Sequence, residues 1–197
     1  MPIETSPPKA GLPLWGRAAL FIGVIATLGW LSNIGIGRTC VVQPLTGLSV
    51  RATGLLVNLF GGNAKAAGTL LYGSGAALDV KDGCNGVIAM ILFTGAVIAH
   101  QASPAAKVIG VILGIPAIWL VNLVRLATLY VVSLVAPSRV EFFHIYFWQT
   151  LIIICVAVLW YFWATWSLRR DLRPAPAAPV AGAAGHEVEA RTNSASD

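Results

Sequence analysis

The sequence predicts an all-α integral membrane protein with about four transmembrane helices, a small extracytoplasmic amphipathic helix and β-hairpin, and a disordered C-terminal tail. Three observations carry that reading. Hydrophobic residues make up 57% of the chain against 11% charged, the mean hydropathy is +0.77, and the apolar residues are gathered into long runs without charges. Each crossing needs roughly 20 apolar residues, so the 197 residues suffice for one bundle but not for a bundle and a separate catalytic domain. Any chemistry must use the bundle or its short loops. The formal charge of +5 does not point to nucleic acid, because the basic residues are scattered. Only Arg169, Arg170 and Arg173 cluster, at a membrane edge, where they set orientation.

The first span lies between Arg17 and Arg38, where AALFIGVIATLGWLSNIGIG carries no charge. Bulky Trp30 and Leu31 near its end argue for an uncleaved anchor rather than a signal peptide. Between the first and second spans, Leu45, Leu48, Ala52, Leu55, Leu56, Leu59 and Phe60 recur at steps of three and four, which predicts an amphipathic helix lying on or against the membrane. The stretch GTLLYGSGAALDV follows, two short apolar runs around Gly73-Ser74-Gly75, and reads as a β-hairpin. A second span runs from Cys84 to about His100 and is short for a full crossing. The third extends from about Lys107 to Val135, long enough to tilt, to kink at Pro116 or to break. The fourth has no Asp, Glu, Lys or Arg between Glu141 and Arg169, with the Trp and Tyr at its ends that interfacial belts use. Residues 1–14 form a cytoplasmic N-terminal segment and residues 15–168 a single transmembrane domain. Residues 169–197, rich in Ala, Pro and Gly, form a disordered cytoplasmic tail that includes His186.

With both termini in the cytoplasm, Lys9, Arg17, Lys107, Arg169, Arg170 and Arg173 lie inside, against Arg38, Arg51, Lys65, Lys81 and Arg139 outside. Arg125 is 18 residues beyond Lys107, about 27 Å along a helix, which brings it near the outer surface of a core roughly 30 Å thick. Cys84 opens the second span and His144 the fourth. Three spans thus deliver a thiol, a guanidinium and an imidazole to one membrane level. His100 lies at the other face and is left out of this set.

Each residue has a structural reading beside the functional one. Arg125 could snorkel to the interface, His144 could sit there as Trp and Tyr do, and Cys84 could pair with Cys40 where disulfides persist. Against the disulfide, Gly83 and Gly86 permit close backbone approach, and a following helix N-terminus favours thiolate. Asn122, one turn before Arg125, shares its helix face and could hold the guanidinium or contact substrate. Cys155, deep in the fourth span, reads as packing.

GCNG at a span entrance, NLVR in the next span and a His opening the last one resemble the Cys-Arg-His arrangement of the exosortase/archaeosortase family of membrane cysteine transpeptidases. The short length and the CNG form look most like the exosortase H branch. The resemblance spans roughly residues 15–168, and larger family members carry additional spans ahead of this core. It implies a multi-pass protein of the cell inner membrane with its active site on the extracytoplasmic side. Its substrates would be exported proteins bearing a C-terminal sorting signal: a motif, a transmembrane helix and a basic cluster. By the same resemblance, Cys84 is the nucleophile that forms a thioester, Arg125 the oxyanion or substrate stabiliser, and His144 the acid and base. Asn85, Gly86 and Asn122 bind substrate or support the site, and an acceptor amine of unknown identity takes the product. The surrounding partner is membrane lipid.

No cofactor is called for, and the three dispersed His do not suggest a metal site. Two readings from other classes stand beside this one. A membrane thiol–disulfide oxidoreductase would use Cys40 and Cys84, although no C-x-x-C pair is present. A non-enzymatic transporter or assembly subunit would use Arg125 to bind an anion or a lipid head group.

Overall fold

The structure, a computed structural model, describes residues 12–80 and 83–172. The first helix, α1 (Leu14–Asn33), buries none of its side chains within the protein. It ends at Ile34, whose backbone is extended. The second, α2 (Gly35–Leu59), is continuous but widens into a π-helical turn over Arg38–Val42. Pro44, which lacks the N–H of a regular helical bond, follows directly, and the wide turn absorbs that break in the ladder. Three short strands come next: β1 (Lys65–Ala67), β2 (Leu70–Gly73) and β3 (Ala76–Asp79). They form an antiparallel meander in sequence order. The expected hairpin is its second half, where Gly73 pairs with Ala76 across Ser74 and Gly75. Both turn residues have positive φ, 51° and 87°, the pattern whose twist matches paired strands.

Three helices complete the bundle. The short α3 (Val87–Ala99) packs against α1, the long α4 (Pro104–Val135) and α5 (Pro137–Asp171). The third predicted span is therefore one unbroken helix with Pro116 inside it. The fourth begins with a 3-10 turn (Pro137–Arg139), passes through a π-helical turn (Phe143–Phe147) and continues as regular helix to Asp171. Helix thus extends past Arg169, where the tail was expected to start. The rest of that tail, with His186, lies outside the described residues.

Among the described residues, four helices are long and apolar enough to cross a membrane: α1, α2, α4 and α5. The set differs from expectation at α2, read from sequence as an amphipathic surface helix. The leucine face does turn outward, as expected of a helix against the membrane, and the opposite face packs inside. Thr46, Ser49, Val50, Thr53, Gly54 and Val57 are buried, while Leu48, Leu55, Leu59 and Phe60 point outward, the last two 79% and 83% exposed. In lipid an apolar exterior carries no penalty, and small or hydroxyl side chains let helices approach closely. Ser49 shows the consequence: its hydroxyl donates to the Leu45 carbonyl, 2.8 Å, and accepts from Trp119 Nε1 of α4 at 2.9 Å.

Two apolar clusters fix the arrangement. One joins Met90, Phe93 and Val97 of α3 to Ile118 of α4 and to Ile152 and Trp163 of α5. The other joins Val50 and Val57 of α2 to Leu71 of β2 and to Leu126 and Tyr130 of α4. The Tyr130 hydroxyl donates to the Gly73 carbonyl at 2.9 Å, tying sheet to helix. In the first cluster α4 presents Ala106, Gly110 and Gly114 as a row of small residues. Trp163 crosses this row, its Nε1 donating to the Ala106 carbonyl at 3.0 Å, and the Phe93 ring occupies the space where a Cβ on Gly114 would stand. Gly114→Ala is therefore expected to lower stability by ~1–3 kcal/mol, the usual range for overpacking. Thermal unfolding in detergent checks this, with the exposed Ile112→Ala as the control that should move little.

Candidate functional site

The site is built on the four-residue approach to α3. Cys84 is half-buried against the cluster of α2, the sheet and α4. Asn85 is 1% exposed and anchors the loop in two directions. Its Nδ2 donates to Thr46 Oγ1 of α2 at 3.0 Å, and its Oδ1 accepts the Val87 backbone N–H at 3.1 Å. The second bond satisfies one of the otherwise orphaned donors at the start of α3. Thr46 in turn donates to the Val42 carbonyl at 2.8 Å. Gly86 then enters α3 with φ +81°, a left-handed conformation that disfavours any side chain. A Cβ there would also lie 3.1 Å from Asn122 Cγ and 3.2 Å from its Cβ. The glycine brings the cysteine loop directly onto α4.

The structure brings Cys84 and His144 together: Sγ is 3.1 Å from Nε2. With the ring proton on Nδ1 the thiol donates to Nε2; after transfer the imidazolium donates to the thiolate. His144 lies in the π-helical turn at the start of α5 and is half-buried. Arg125, 3% exposed, is near enough to act electrostatically on both Cys84 and His144. Its Nε has no hydrogen-bond partner, and no carboxylate pairs with it among the described residues. Asn122 is fully buried, and neither Nδ2 nor Oδ1 has a partner. The snorkelling alternative for Arg125 does not hold, since the side chain is enclosed by protein.

Cys40 is exposed on the π-helical turn of α2, and no disulfide joins Cys40, Cys84 or Cys155. Cys84 meets His144, not Cys40. No group of three or more His, Cys, Asp or Glu able to hold a metal occurs among the described residues. Sequence reasoning missed Thr46, the residue that fixes Asn85. Its signal was the recurrence of Thr46, Ser49, Val50, Thr53 and Val57 at steps of three and four, a polar and small face on a helix read only by its leucines.

Chemically, a thiol beside an imidazole can be deprotonated locally, and a buried cation nearby can stabilise an anion formed at the same place. Helices apolar enough to cross a membrane, with a thiol–imidazole pair at one end of the bundle, define a multi-pass membrane protein with a cysteine-centred site. The family follows from the sequence match: the transmembrane exosortase family model covers residues 9–161, and the chain belongs to that family. Neither a curated protein nor a solved structure matches the chain.

Gly86→Ala is expected to cost ~1–3 kcal/mol, through a left-handed φ on a residue with a Cβ and the contact with Asn122. It should also slow alkylation of Cys84 by iodoacetamide, followed by intact mass. Adding Asn122→Ala should recover only part of both effects, because it relieves the contact and leaves the backbone strain.

Proposed function

We propose that the protein is a membrane cysteine transpeptidase that removes the C-terminal sorting signal of exported proteins on the extracytoplasmic side of the cell inner membrane. The observation that carries the reading is the 3.1 Å approach of Cys84 Sγ to His144 Nε2 beside buried Arg125, whose Nε has no hydrogen-bond partner. Family membership supports it from the sequence side.

His144 takes the Cys84 proton, and the thiolate attacks the scissile carbonyl carbon. Negative charge develops on the carbonyl oxygen, where Arg125 and the backbone N–H groups of Asn85 and Gly86 are the available donors. The C–N bond breaks as His144 returns its proton to the leaving amine, which departs with the membrane helix and basic cluster. The exported protein remains on Cys84 as a thioester. An acceptor amine then attacks that carbonyl, His144 removes its proton, and the Cys84 thiolate leaves. Water in place of the amine gives hydrolysis by the same path. Asn122 supports the loop from beneath Gly86 and shares the α4 face with Arg125.

Co-expression with a tail-bearing substrate, read by intact mass, tests this. Wild type should remove the tail and Cys84→Ala should not, while Cys40→Ser should retain activity, as an oxidoreductase using both thiols would not. His144→Ala should reduce the rate by roughly 10²–10⁴-fold, and Arg125→Ala by about 10²–10³-fold, the scale of losing one oxyanion donor. Equal processing by wild type and Cys84→Ala would falsify the cysteine mechanism. The mass on the new C-terminus separates transfer from hydrolysis.

A further inference from the structure

The strand β3 has one bonded edge and one open edge. Val80 N–H donates to the Thr69 carbonyl at 2.9 Å. In the register that pairs Leu70 with Asp79, the bonded pairs are therefore Leu71 with Leu78 and Gly73 with Ala76, because antiparallel ladders bond at every second pair. Ala77 and Asp79 turn their backbone N–H and C=O groups away from β2, and both residues are exposed. No strand covers that edge among the described residues. An open strand edge is a template for another extended chain.

The sheet has a second open edge, on β1, and the two differ. Leu71 bonds to Leu78, so its partner on the other side, Ala66, turns its backbone groups outward. That strand starts with Lys65, however, a residue type that discourages edge pairing, and it packs against α2. β3 packs instead against α4, which itself packs against α5, so its open edge lies on the α5 side of the sheet. That is the side of His144 and of the Cys84 thiol it meets at 3.1 Å. Cys84 follows Asp79 by five positions, and it packs against the same cluster as Ala76 and Leu78, the inward residues of β3. The one charge on β3 is engaged, Asp79 Oδ1 accepting the Thr69 hydroxyl at 2.8 Å.

We propose that the exported protein adds the extended segment beside its scissile bond to this edge as a fourth strand, bonded to the backbone of Ala77 and Asp79. The inference rests on the transpeptidase reading and adds to it the place where the substrate chain lies. Main-chain bonds of this kind supply affinity to an extended peptide whatever its side chains, and leave selectivity to the surfaces that alternate residues meet. A chain paired with β3 also holds its scissile carbonyl in a fixed direction, which attack by the Cys84 thiolate requires.

Hydrogen exchange of the full-length Cys84→Ala protein in detergent, with and without the tail-bearing substrate, tests it. Substrate should slow exchange of the outward amides of Ala77 and Asp79 and leave that of Ala66 unchanged. In the active chain, Ala77→Pro removes one outward N–H without touching the ladder. It should raise KM for the tail-bearing substrate about three- to tenfold, the scale of one hydrogen bond, while Cys84 keeps its wild-type rate of alkylation by iodoacetamide. Ala66→Pro, the matched change on β1, should leave KM as it was. Exchange in β3 that does not respond to a substrate the wild type processes would overturn the strand pairing alone, as would a KM for Ala77→Pro equal to that of wild type. Protection of Ala66 in place of Ala77 and Asp79 would overturn it in favour of the other edge. If Ala77→Pro also changes the alkylation rate, the fold has moved and the exchange result decides. Failure of wild type to process the substrate would overturn the transpeptidase reading, and this inference with it.

Discussion

The approach of Gly86 to Asn122 is the constraint on which the site depends. A left-handed residue without a side chain lets the chain turn into α3 while touching α4, and no other residue type meets both demands cheaply. Once that contact is made, Cys84 is held at the level of Arg125, which lies one turn beyond Asn122. Asn85 secures the same loop on its other side through Thr46 of α2. Three helices are joined by two adjacent residues, and the thiol is the residue just before them.

The polar bonding follows from the same geometry. Away from water, each buried polar group needs an internal partner. Most of those between α2 and its neighbours have one: Thr46 with Asn85, Ser49 with Trp119, Asn58 with Ala64 through both its amide atoms. Asn122 and Arg125 depart from that rule. They stand side by side on α4 next to the Cys84–His144 pair, where a substrate carbonyl would arrive in the proposed reaction.

Much of this was legible in the sequence because membrane thickness converts residue counts into levels. Counting from Lys107 placed Arg125 with Cys84 and His144, and the turn residues Ser74 and Gly75 gave the hairpin. The outer part of α2 was not legible, for a physical reason. Reading α2 by its apolar residues picked out the face turned to the membrane, and that face carries no sign of the small and hydroxyl residues from Thr46 to Val57 that pack on α4. Gly35 and Gly37 also resembled the end of a span, yet they begin the next helix. The strand Lys65–Ala67 offered no β-branched residue to announce it. Neither π-helical turn leaves a pattern in composition, although one carries Cys40 and the other His144.

The unpaired state of Arg125 bears on the chemistry more than its burial does. A permanent carboxylate partner would repay part of the cost of enclosing the cation, which is the usual arrangement for a buried charge. It would also saturate the guanidinium before any reaction began. Without that partner, the positive charge acts on whatever anion forms nearby, and it acts strongly because little water screens it. In the proposed reaction two anions form there in succession, the Cys84 thiolate and the carbonyl oxyanion, and both are transient. A cation that is unsatisfied at rest and satisfied only during turnover stabilises the transition state more than the resting enzyme, which is the condition for catalysis rather than binding. The stability lost at Arg125 and Asn122 is then borne by the apolar clusters on either side, Phe93 with Trp163 and Leu126 with Tyr130, which keep α4 in place while its most polar stretch goes without partners.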